Sequence, residues 1–341
     1  MGTVAVMGAG AWGIAFALRC HAAGRTVRLW ARDEQTVAEM RTRRAHPRVL
    51  PGVPLPEDLE LTADAAVALT GADLVVVAIP SVGLTQQLRA WGRSVPPHAT
   101  IVSLTKGFDG EGARLPSAAI TAELGTPSAQ VVVVSGPNLA KEVAAGWPAA
   151  AVAAGPDAQR VEHVRSAAMG DSFRLYANMD RLGVELGGIV KNVIAIVAGA
   201  AQGLGYGENT TAMVVTRGLA EVTSLGIALG ADPRTFQGLA GLGDLVATCT
   251  AASSRNRSFG ERLGRGETLS AVVASMGPVV EGVRAAPHVA ALADRHGVDM
   301  PMVRAVVSAT RDGEDVSALA TTLLTRPPRS EVARPLRGSD P

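Results

Sequence analysis

The first half of the chain alternates short apolar runs with segments of helical length. The runs are TVAVMG (3–8), TVRLWA (26–31), DLVVVAI (73–79), TIVSL (100–104), QVVVVS (starting at Gln130) and AAAVAAG (149–155). Each has strand length and lacks the alternation of a strand with one wet face, as expected when helices cover both sides. Strands separated by crossover helices predict an α/β fold with a parallel, doubly wound, Rossmann-type sheet.

The pattern changes near residue 180. LGVELGGIVKNVIAIVAGAAQGLG (182–205), TTAMVVTRGLAEVTSLGIALG (210–230), SRNRSFGERLG (254–264), AAPHVAALADRHG (285–297) and PMVRAVVSAT (301–310) all read as helices, punctuated by Gly and Pro. The expected organisation is a dinucleotide-binding domain over 1–181 and an all-helical substrate and catalytic domain over 182–325. The polar, Pro- and Arg-rich segment 326–341 is expected to be a disordered tail. Residues 1–18 carry no charge, but no basic stretch precedes their apolar run and glycines interrupt it. A signal sequence or membrane span is therefore not expected there.

That same stretch holds Gly8-x-Gly10-x-x-Gly13, directly after the first strand. Gly8 permits the tight turn, Gly10 lets the backbone approach a pyrophosphate, and Gly13 lets the helix pack on the strand. The helix N-terminus then offers free N–H groups to the anion. The second strand is followed by Arg32 and then Asp33. An Arg suits the 2′-phosphate of NADP and an acid suits the ribose hydroxyl of NAD. Arg32 comes first, which favours NADP, with NAD the alternative; Asp33 also reads as the cap of the helix that follows.

Composition narrows the chemistry. Of 341 residues, 47% are hydrophobic and 18% charged, and the net charge is +1. Such a chain buries a large core and makes no electrostatic case for nucleic acid or an acidic membrane. Cys20 and Cys249 show no metal or redox spacing, so a reduced, cytoplasmic setting is expected. The six histidines have no metal-ligand spacing, and no metal site is expected. There is no Gly-x-Ser-x-Gly elbow and no Walker-type loop.

Among 32 basic residues, only Lys106, Lys141 and Lys191 are lysine. Arginine stays protonated, whereas a buried lysine exchanges a proton, so lysines kept in an arginine-rich chain are candidates for chemistry. Lys106 lies at the carboxyl end of a strand, where open α/β sheets bind ligands. Lys141, beside Glu142, reads better as a surface charge. Lys191 sits within an apolar run and, on a helix, leans over Gly187 and Gly188. Those glycines predict a bare patch with room for a small ligand; the alternative is a lysine reaching to solvent from a helix edge.

Asp244 lies in a Gly-rich segment, and Ser254 can cap a helix whose first turn holds Arg255, Asn256 and Arg257. Basic residues at a helix start suit a bound phosphate, or else simply face solvent.

GAGAWG, SLTKG, VSGPNLAKE, GGIVKNVIAI, TRGLAEVTSLGIALGADPRTF, GLAGLGDLVATCT and SRNRSFG together resemble the bacterial NAD(P)-dependent sn-glycerol-3-phosphate dehydrogenases, over about residues 3–325. The resemblance implies interconversion of dihydroxyacetone phosphate and sn-glycerol 3-phosphate for phospholipid synthesis, by a cytoplasmic homodimer. It implies Lys191 as proton donor, Asp244 as its orienting partner, and Lys106 as a contact to cofactor and substrate. Gly136, Asn138, Ser254, Arg255 and Asn256 would hold the substrate, with Asn192 assisting. Trp12, Arg32, Ala140, Arg255, Val279 and Glu281 match cofactor contacts. Ala11 stands where the family often has Ser, and Asn138 where Ser or Thr is usual. A dehydrogenase for another small alcohol, or a dinucleotide sensor without turnover, shares the glycine loop.

Overall fold

A computed structural model describes residues 2–110, 113–277 and 280–327. Eight strands form one sheet: β1 (Thr3–Met7), β2 (Thr26–Trp30), β3 (Glu60–Thr62), β4 (Leu74–Val77), β5 (Thr100–Ser103), β6 (Val131–Ser135), β7 (Ala149–Ala154) and β8 (Phe173–Asn178). Their order is β3-β2-β1-β4-β5-β6-β7-β8. The expected sheet is present with two differences. β7 runs antiparallel to β6, pairing Val134 with Ala153, so the sheet is not wholly parallel. The short β3 and the edge strand β8 carry no continuous apolar run and escape the sequence pattern.

Both faces are covered. Phe16, Met40 and Val164 lie in the core on one side, and Leu88, Trp91 and Ile120 in the core on the other. β4, β5 and β6 are buried at every position, which is why their sequences are nearly all Val, Ile and Leu.

After β8 the chain is helical. Asp180 caps the central helix Arg181–Gly203 by accepting from Gly183 N at 2.9 Å. Among the described residues this helix alone is long and apolar enough to cross a membrane, but 83% of its apolar window is buried inside the protein. It is a core helix. Helix Arg255–Gly264 crosses it very closely. A Cβ added to Gly199 would stand 1.9 Å from Arg257 O, and one added to Gly260 would stand 1.9 Å from Ile196 O. Small residues on both helices therefore let the backbones touch, and this brings Asn256 beside Asn192.

Asp244, in the Gly-rich segment, opens helix Asp244–Thr250, directly after a π-type turn over Leu239–Gly243. The proposed tail falls outside the described residues from 328 onward. Its first residue, Arg326, pairs with Asp299 at 2.6 Å.

Candidate active site

The strand order reverses between β1 and β4, and the glycine loop sits at that switch point. Gly8 has φ +131°, and a Cβ there would lie 2.4 Å from Ala78 O at the end of β4. Only glycine fits such a turn. Gly10 precedes helix Ala11–Ala22, has no side chain to cap it, and has nothing within 4 Å of an added Cβ. Open space beside uncapped N–H groups is what a pyrophosphate requires, so the loop fits a dinucleotide. Trp12 packs edge-on against Phe16, and its buried Nε1 has no partner.

A cleft of 950 Å³ runs from this loop to the helical domain. Gly8, Gly10, Trp12, Gly13 and Arg32 line one end, and Lys106, Asn138, Lys191, Asn192, Asn256 and Glu281 line the other. Ala11, Gly136, Ala140, Asp244, Ser254 and Arg255 are not on its wall. Ala11 and Ala140 each begin a helix. Val279 lies outside the described residues.

Behind the cleft wall, the two lysines that line it share one buried carboxylate. Lys191 Nζ donates to Asp244 Oδ1 and, at 2.9 Å, to Thr248 Oγ1. Lys106 Nζ donates to Asp244 Oδ2 at 2.8 Å and to Gly136 O at 3.2 Å. Asp244 is 1% exposed, so it reaches ligands only through the lysines. Burial pulls the Lys191 ammonium down to about 8; Asp244 opposes that shift and Lys106 adds to it. The alternative of a solvent-reaching lysine is excluded, because the Lys191 side chain is only 10% exposed.

The two glycines before Lys191 do not leave space for a ligand. A Cβ on Gly187 would lie 2.4 Å from Ala240 O, and one on Gly188 would lie 2.6 Å from Ser135 Oγ. They admit the turn before Asp244 and the end of β6 against the central helix. This close approach brings Asp244 within reach of Lys191.

Asn138 has both amide atoms buried and without a partner. Asn256 Nδ2 donates to Asn192 Oδ1 at 2.9 Å, and Asn256 Oδ1 accepts from Gly282 N at 2.9 Å. Ser254 caps its helix, accepting from Arg257 N at 3.3 Å. The basic first turn finds partners within the protein. Arg257 bonds Gln202, Glu261 and Ala251 O, while the exposed Arg255 bonds Met276 O at 2.7 Å. Glu281 joins the two halves, accepting from Ser81 Oγ at 3.0 Å, and burial pushes its carboxyl up. Asp33 acts as a helix cap, accepting from Thr36 N at 2.9 Å. Lys141 is exposed and lies off the cleft.

Sequence reasoning missed Thr248, His46 and Arg48. Thr248 lies one helical turn after Asp244, so its place on the same face was readable once the helix was known. His46 and Arg48 reach the cleft from an irregular segment with no periodic signal.

Residues 3–161 match the N-terminal family of NAD-dependent glycerol-3-phosphate dehydrogenase, and residues 180–321 match its C-terminal family. The chain is similar to glycerol-3-phosphate dehydrogenase [NAD(P)+] of Corynebacterium aurimucosum, with 47% identity covering 97% of this chain and 100% of that one. The corresponding protein of Streptomyces griseus is 45% identical over 96% of this chain and 97% of its own. The crystal structure of glycerol-3-phosphate dehydrogenase from Coxiella burnetii superposes with a TM-score of 0.89 at 37% identity, covering 95% of this chain and 99% of that one. Matches of that identity along nearly the full length, on a glycine loop and two lysines meeting one aspartate, place this chain in the NAD(P)-dependent glycerol-3-phosphate dehydrogenase family.

Proposed function

We propose that Lys191 is the proton donor in the reaction of this chain, the NAD(P)H-dependent interconversion of dihydroxyacetone phosphate and sn-glycerol 3-phosphate. The observation that carries this reading is a buried ammonium in the cleft, held by Asp244 and Thr248 and drawn down to about 8. When bound, the nicotinamide would supply the hydride for C2 of the ketone. The oxygen at C2 then needs both a positive charge and a proton, and Lys191 offers both. In the reverse direction neutral Lys191 accepts the alcohol proton. Asp244 orients the two ammoniums, and Lys106 faces cofactor and substrate together.

Asn138, with an unpartnered amide, Gly136, Asn192 and Asn256 are assigned to the substrate. Its phosphate is assigned to the start of helix Arg255–Gly264, where Asn256 lines the cleft, Ser254 and Arg255 flank it, and the Arg255 guanidinium keeps donors beyond its bond to Met276 O. The glycine loop, Trp12, Arg32, Ala140, Arg255, Val279 and Glu281 are assigned to the cofactor. NADP is favoured over NAD. Arg32, His46 and Arg48 line the same end of the cleft, and Asp33 is occupied as a helix cap. A homodimer in the reduced cytoplasm completes the reading. Exposed Met213 and Ile227 on helix Glu208–Ala228 and the free, buried cysteines are consistent with it.

The test mixes protein, dihydroxyacetone phosphate, and NADPH or NADH. Rapid loss of reduced cofactor, faster with NADPH, is expected. Lys191→Arg should bind NADPH as the parent does and lose at least about a hundredfold in turnover. A near-normal rate in that variant removes Lys191 from the role. Arg32→Ala should lower kcat/KM for NADPH about tenfold or more and leave NADH within about threefold.

A further inference from the structure

Glu185 is a carboxylate buried to 4% exposure on the central helix, upstream of Lys191. Nothing in the chemistry above uses it. Its Oε1 accepts from Ser117 N at 2.8 Å, and its Oε2 accepts from Ser117 Oγ. Ser117 belongs to the other half of the molecule, in the first turn of helix Pro116–Leu124. That helix has no side-chain cap of its own, since Leu115 stands in the capping position. The Glu185 carboxylate thus does for it what an N-terminal Asp or Ser usually does, by meeting an orphan N–H and the positive end of the helix dipole. Burial pushes the Glu185 carboxyl up, while the Ser117 bonds and Arg181 pull it back.

The place of this contact gives it meaning. The segment between β5 and helix Pro116–Leu124 carries Lys106. Near its start Lys106 bonds Asp244, and just past its end Ser117 bonds Glu185. Arg114, near its end, bonds Asp109 at 2.7 Å and Glu123 of the following helix at 2.8 Å. Both ends are therefore tied to the helical domain that presents Lys191.

We propose that Glu185 is a positioning residue: by capping helix Pro116–Leu124 from across the domain boundary, it sets the central helix against the Lys106 segment so that both lysines reach Asp244. This inference rests on Lys191 being the proton donor.

The experiment measures kcat, KM for dihydroxyacetone phosphate, the dissociation constant for NADPH, and the pH at which reductive kcat declines. The variants are Glu185→Ala, Glu185→Gln, Ser117→Ala and the Glu185→Ala/Ser117→Ala pair. Glu185→Ala should lose about tenfold or more in kcat with NADPH affinity within about twofold, because a displacement on the order of an ångström suffices for such a loss. Its declining limb should move to lower pH, since Lys191 loosened from Asp244 loses the interaction that raises its pKa. Glu185→Gln still accepts from Ser117 N and should restore most of the rate. The double variant should be no slower than Glu185→Ala, because both changes remove one contact.

If Glu185→Ala does not fold, Ser117→Ala, which keeps the N–H donor, should show a smaller loss and shift in the same directions. A parental kcat and pH limb in Glu185→Ala, or in Ser117→Ala where only that variant folds, overturns the proposal. So does a Glu185→Gln variant as slow as Glu185→Ala. Lys191→Arg runs in parallel. If it keeps turnover, the proton-donor reading itself has failed; if it loses turnover while Glu185→Ala does not, only the positioning role has.

Discussion

Asp244 Oδ1 accepts from Lys191 Nζ although 53 residues separate them in the chain. With Lys191 as the proposed proton donor, reduction requires its ammonium form, so kcat in that direction should fall as pH rises through about 8. Oxidation then requires the neutral amine, so its kcat should rise through the same region. Parallel pH profiles in the two directions would contradict the assignment. Stability responds as well. The native chain releases this proton near 8 and the unfolded chain near 10.5, so the contribution of Lys191 to stability grows with pH between those values.

Asp244→Asn removes the one charge that both lysines share. Two buried ammoniums are left facing each other, and the Lys191 pKa should drop further. At neutral pH, kcat should fall on the order of a hundredfold or more, with loss of the ammonium fraction and of its orientation. Circular dichroism checks that the fold persists, and kcat within about threefold of the parent would show that the carboxylate is dispensable.

Gly187→Ala separates two explanations of the glycine pair. Alanine in a helix interior gains about 1 kcal/mol over glycine. Here the added Cβ would meet the Ala240 carbonyl at 2.4 Å, and a backbone atom in a tight turn does not yield easily. Overpacking of about 1–3 kcal/mol should outweigh the propensity gain, so the variant should melt earlier. A variant of unchanged stability with a raised KM for dihydroxyacetone phosphate would instead restore the glycines as substrate space.

These relationships show where the sequence is legible. The glycine loop, the buried strands and the long central helix announce themselves because each repeats one local rule over several residues. Lys191 stands out as a charge in an apolar run and Lys106 as a rare lysine at a strand's carboxyl end, whereas the role of Asp244 as their partner comes from the resemblance alone. What Gly187 and Gly188 admit was misread, because their partners, Ala240 and Ser135, come from distant segments. The reversed direction of β7 and the roles of Thr248 and Glu185 are likewise invisible locally. Each depends on which surfaces the fold brings together, and periodicity carries no such information.

Glu221 provides a test of stability away from the cleft. The residue is 7% exposed; Oε1 accepts from Met302 N at 3.1 Å, and Oε2 has no hydrogen-bond partner among the described residues. Burial raises its carboxyl from 4.5 to about 7, the bond from the Met302 amide opposing that rise. The native chain therefore holds this proton to higher pH than the unfolded chain does. The sign follows: stability from this group is complete below about 4.5 and is lost as pH rises through about 7. Glu221→Gln keeps an acceptor for Met302 N and never ionises. It should match the parent near pH 5 and exceed it at pH 8 by on the order of 2 kcal/mol, the neutral amide avoiding an unpaired buried charge. Thermal melts of both proteins at the two pH values measure this directly. An equal Tm difference at both would mean that the Glu221 carboxyl does not titrate between them.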